Sequence, residues 1–158
     1  MALQDKIEPR QWQILCTAPW AVGLYIATAV GGKIQEVREL LVLGAALHRA
    51  LERDLEHDLI GAVAATVLRE APIGGASGLG PGDRPALLRA VTAAGKATAQ
   101  LPDGQHFRHW LLELAREIAA AERDGGWLGI GAEAMHTAEQ AALAEIAEAL
   151  GLLDSDCR

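Results

Sequence analysis

The segment DGGWLGIGAEAMHTAEQAALAEIAEALGL, from Asp124 to Leu152, decides the fold class. It joins a glycine-rich bend to an amphipathic helix whose two ends are both specified. Thr137 and Gln140 stand as in a capping box, where each side chain takes up a backbone N–H left free at the helix start. Glu139 then falls in the first turn, where the helix dipole favours an anion. Leu143, Ile146, Ala147 and Leu150 recur at helical spacing, and Gly151 follows as a left-handed C-terminal cap.

The rest of the chain repeats this pattern. Trp12, Leu15, Cys16, Pro19, Trp20, Val22, Gly23 and Ile26 step along one helical face, so a helix is expected over about residues 10–30. Pro19 predicts a break or kink in it, with Thr17 capping a second piece. Gly31-Gly32 stops that helix. Val37, Leu40, Leu41, Gly44, Leu47 and Leu51 define the next, and Leu55, Leu59, Val63 and Val67 the one after, with Asp54 a candidate junction.

Ile73 to Asp83 (IGGASGLGPGD) is too rich in glycine for regular structure and is expected to be a flexible loop, 73–83. Leu88, Val91, Gly95, Thr98 and Leu101 form a fourth helical pattern, closed by the turn signature Pro102-Asp103-Gly104. Phe107, Trp110, Leu111, Leu114 and Ile118 form a fifth, ending at Gly125-Gly126. Residues 153–158 read as a polar tail. With no alternating strand pattern, the expectation is all-α: one domain over 1–158, a compact bundle of about six or seven helices arranged as two helical hairpin units around a shared core.

Composition agrees. A chain of 158 residues can bury a real core without metals or disulfides as staples. It is 51% hydrophobic but only 4% aromatic, and the Ala and Leu excess favours packed helices over sheets. A net charge of −7 speaks against a general nucleic-acid or anionic-membrane surface, which needs a basic footprint. Cys16 and Cys157 lie far apart with no metal-knuckle or disulfide-framework spacing, which fits reduced thiols in a cytoplasm. The N-terminus has no signal-peptide pattern. The most apolar run, Ile14 to Val30, is interrupted by Pro19 and Gly23 and reads as a buried helix rather than a membrane span.

Nucleophilic and phosphate chemistry find no support. Ser77 in GASGLG lacks the strand that a nucleophile elbow or a phosphate loop requires before it. Cys16 lies on an apolar face and reads as an inert buried thiol. Trp12, Trp20 and Trp110 follow core periodicity, whereas Trp127 sits in the second glycine bend. Histidine and carboxylate pairs at helical spacing, Asp54 with His57 and Asp58, Glu133 with His136, and His106 with His109, leave open a metal-dependent helical-bundle enzyme.

The two glycine bends resemble the repeated Asp-Gly bend and acidic helix of the tellurite-resistance TerB-like helical domain. The first reads Ala29-Val30-Gly31-Gly32-Lys33-Ile34 with Glu36 and Glu39; Gly31 stands where that family has an aspartate. The second reads Gly126-Trp127-Leu128-Gly129-Ile130-Gly131, with Asp124 before it, Glu139 after it and a Leu-Gly-Leu ending. Gln11-Trp12 and Ala18-Pro19-Trp20-Ala21-Val22 are similar to the opening of some bacterial members. The resemblance implies a bacterial stress-response binding or sensing module, not an enzyme, with a protein partner and peripheral membrane association through that partner. It also implies weak Ca2+ or Mg2+ binding, for which Asp124, Glu139, Glu36 and Glu39 are the candidate ligands. Read from the residues alone, the same acids can serve as caps and dipole partners, and a purely structural interaction domain is a further alternative.

Overall fold

A computed structural model describes residues 2–30, 35–53, 58–70, 83–124 and 132–152. Among these residues a 3₁₀ turn, Leu3–Lys6, precedes six α-helices: α1 Pro9–Val30, α2 Gln35–Arg53, α3 Leu59–Glu70, α4 Arg84–Thr98, α5 Gly104–Asp124 and α6 Ala132–Ala149. No strand occurs among the described residues, and the all-helical expectation holds. The glycine-rich stretch 73–82, both Gly-Gly bends, Asp54, Trp127 and the tail 153–158 lie outside the described residues.

Helix α1 is the centre of the bundle. It touches all five other helices, most extensively α4, so the two halves of the chain share one core. Its start is well specified: Pro9 takes the first helical position, where its missing N–H costs nothing, and the Glu8 carboxylate accepts from the Arg10 and Gln11 amides at 3.4 and 3.3 Å. The expected break at Pro19 does not occur. α1 runs unbroken through it, and Thr17 caps nothing, its hydroxyl donating instead to Gln13 O at 2.8 Å within the same helix. An interior proline costs about 3 kcal/mol. Leu15, Ala18, Val22 and Ile26, all fully buried, offset it at about 1.5–3 kcal/mol for each large apolar side chain.

Two N-caps fix the next elements. Asp58 precedes α3, its carboxylate accepting from Ile60 N at 3.4 Å, and Asp83 precedes α4, accepting from Ala86 N at 3.0 Å. α4 stops at Thr98, short of the expected Leu101, and a pair of tight turns leads into α5. Phe107, Leu111, Leu114 and Ile118 then line the core as their spacing predicts.

At the C-terminus the two ends of α6 differ in how they follow the sequence. Gly151 has φ +71°, Leu152 N–H donates to Ala147 O and Gly151 N–H to Glu148 O, both at 2.9 Å. That is a Schellman cap, closed by the buried apolar pair Leu152 and Ala147. The expected start at Thr137 is displaced: α6 begins at Ala132, so Thr137 and Gln140 are interior helical positions. Ala132, Glu133, Ala134 and Met135 are all strong helix formers and carry the helix past the capping signal.

Candidate functional site

The early start of α6 changes what Glu139 is. It is the eighth residue of the helix, beyond the first turn where the dipole acts, and only 1% exposed. Ala142, Ile146 and Leu150 follow it at helical spacing, all buried, so Glu139 stands on the core face of α6. The reading of Glu139 as a first-turn dipole partner is therefore corrected. Its burial was legible in principle: stepping back seven residues from Ile146 arrives at Glu139, but only apolar residues had marked the face. A carboxylate in such a place costs stability unless a cation, a proton or hydrogen-bond donors compensate it.

The other sequence-derived candidates are positioned by backbone alone. Asp124 is the last residue of α5, which packs on α6, and Glu36 and Glu39 lie in the first turns of α2. Their side chains, like those of Glu133 and His136, fall outside the described residues. His106 and His109 both face outward, on a ≈ 320 Å³ groove with Arg49, Trp110, Glu113 and Glu117. The carboxylates there are engaged by arginines, Arg49 with Glu117 and Arg116 with Glu113, each at 2.5 Å. Among the described residues no three His, Cys, Asp or Glu side chains converge as metal ligands.

A second polar cluster, missed by the sequence reading, ties α1, α4 and α6 together. The Arg84 guanidinium lies 4.1 Å from the centre of the Tyr25 ring and donates to Tyr25 O at 3.0 Å and Thr28 Oγ1 at 2.9 Å. Glu145 completes it, accepting from the Tyr25 hydroxyl and standing 3.7 Å from Arg84. Burial, followed by the hydrogen bond to Glu145, raises the Tyr25 pKa above its ordinary value, so the hydroxyl remains a donor at neutral pH. Arg84 and Glu145 are 36% and 47% exposed, so their ion pair is worth about 0–1 kcal/mol.

Glu145 is one wall of a cleft of ≈ 630 Å³ between α4 and α6. Leu88, Gly95 and Leu150 supply its apolar lining and Lys96, Arg108 and Glu148 further charges. The mixture of signs gives it no preference for an anion or a cation. A third feature is the groove along α1 that holds Cys16, whose thiol is pushed up to about 12 by burial, then by Glu70, against the opposing pull of Arg69. At neutral pH Cys16 is a thiol and a poor nucleophile. No helix among the described residues is long and apolar enough to cross a membrane. No protein-family model matches the chain, and no curated protein or solved structure is significantly similar to it.

Proposed function

We propose that the chain is a TerB-like binding or sensing module of a bacterial stress response, of the tellurite-resistance type, in which Glu139 is the responsive residue. The observation that supports this reading is the burial of Glu139 on the core face of α6, inside the segment that carries the resemblance. Glu139 with Asp124, completed by backbone carbonyls and water, is the proposed oxygen-ligand set for Ca2+ or Mg2+. Gly31 removes one carboxylate from the first bend, which leaves Glu36 and Glu39 as the weaker alternative pair. Binding at the core face would stabilise the bundle and alter the surface offered to a protein partner. The outward placement of His106 and His109 gives the rival bundle-enzyme reading less support, because such enzymes project their ligands inward.

Thermal unfolding with and without divalent ion tests the proposal. At tenfold excess over Kd, binding to the folded state adds about 1.4 kcal/mol. For a chain of this size that is a rise in Tm of about 3–5 °C. The rise should grow with the logarithm of Ca2+ or Mg2+ concentration above Kd and vanish in Glu139→Gln. No rise at millimolar concentrations of either ion, or an equal rise in the variant, overturns the proposal.

A further inference from the structure

Glu145 and Arg108 both line the cleft between α4 and α6, and each has hydrogen-bonding capacity to spare. The Glu145 carboxylate meets the Tyr25 hydroxyl and the Arg84 guanidinium through Oε2 alone, so Oε1 has no partner among the described residues. Arg108 donates from Nε to Gly104 O and from Nη1 to Leu150 O, both at 3.4 Å, which leaves Nη2 without a partner among the described residues. One group is an anion and the other a cation, and α6 sets the interval between them. Leu150, which Arg108 touches, follows Glu145 by five positions, about 7–8 Å at the helical rise. Glu148 and Lys96 line the same cleft and form no ion pair among the described residues. The remaining wall is apolar, from half-buried Leu88 and Ala149 and buried Leu150.

We infer that this cleft binds a dipeptide with free termini and apolar side chains, its carboxylate received by Arg108 Nη2 and its ammonium by Glu145 Oε1. An extended chain covers about 3.3–3.6 Å per residue, so two residues span about 7 Å, the interval that α6 sets. A single amino acid carries both charges on one α-carbon and is too short to meet both groups. A simple anion or cation would engage one end and face a like charge at the other. Leu88, Ala149 and Leu150 supply apolar contact for the ligand side chains, and the ≈ 630 Å³ of the cleft lies in the range of small-ligand sites. The site shares no residue with the proposed cation site, so it stands whether or not a metal binds at Glu139.

Calorimetric titration of the whole chain with leucyl-leucine, its N-acetyl form and its C-terminal amide tests the inference. Leucyl-leucine should bind saturably and shift the backbone amide signals of Gly95 and Gly151, which line the cleft. Each blocked form should bind about five- to tenfold more weakly, between the worth of an exposed ion pair and that of a charge-assisted hydrogen bond. Glu145→Gln should abolish only the preference for the free ammonium, and Arg108→Met only the preference for the free carboxylate. Leucine itself should bind more weakly than the dipeptide. Equal affinities of leucyl-leucine and its two blocked forms for the parent chain, no saturable binding of the dipeptide at millimolar concentration, equal affinity for leucine, or variants that weaken all three peptides alike overturns the inference.

Discussion

Gly104→Ala is expected to destabilise the fold by about 3 kcal/mol or more, the upper end of what overpacking costs. A Cβ at this position would lie 1.8 Å from Thr98 O and 2.8 Å from Thr98 C, both backbone atoms. Thr98 cannot withdraw easily. It is 1% exposed, and its hydroxyl donates to Ala94 O and Gly95 O, each at 2.9 Å. Relief therefore means opening the turns between α4 and α5 and lifting the first turn of α5, where Phe107 is wholly buried. Urea unfolding of the variant against the parent measures this, and a loss below about 0.5 kcal/mol, the range of an ordinary surface change, contradicts it.

Gly95→Ala should also destabilise, by about 1–3 kcal/mol, although alanine is the better helix former by about 1 kcal/mol. The new Cβ would meet Ala149 O at 2.8 Å and Leu150 Cα at 3.2 Å, the last turn of α6 against which α4 is packed. The helices must part, and the Schellman cap at Gly151 loses its support. Gly44, in α2, provides the opposite sign. Nothing lies within 4 Å of a Cβ there, so Gly44→Ala should gain about 0.5–1 kcal/mol from helix propensity alone. If Gly95→Ala also stabilised in the same urea measurements, the close contact of α4 with α6 would be refuted.

These glycines show where the sequence could be read and where it could not. Pro102-Asp103-Gly104 marks a turn on local grounds, but the reason for Gly104 is the approach of Thr98 O, a matter of space and not of a positive φ. Gly151 was legible in full, because a C-cap glycine, its donors and its apolar pair all lie within six residues. Pro19 misled because helix propensity is local, while the packing that holds α1 together comes from five other helices. Thr137 misled for the opposite reason, since its capping signal is outweighed by the helix formers just before it.

The candidate site divides along the same line. Tyr25, Arg84 and Glu145 come from three helices, with Tyr25 and Glu145 separated by 120 positions, and no spacing rule joins them. Glu139 was singled out through the resemblance and was placed in the wrong environment, because a mistaken helix start put it in a first turn. The helical period of its buried neighbours contains the right answer. A polar residue in register with Ile146 and Leu150 is a core residue, whatever its charge.

Methyl spectra of the whole chain with substoichiometric Mn2+ test the proposed divalent-cation site at Glu139 on the core face of α6. Ala142 and Ile146 share that face with Glu139, so their methyl signals should broaden first, with the effect reversed by excess Mg2+ and lost in Glu139→Gln. If Ala142 and Ile146 stay sharp while methyl groups near exposed acids broaden, or if Glu139→Gln broadens in the same pattern as the parent, the cation does not bind at Glu139.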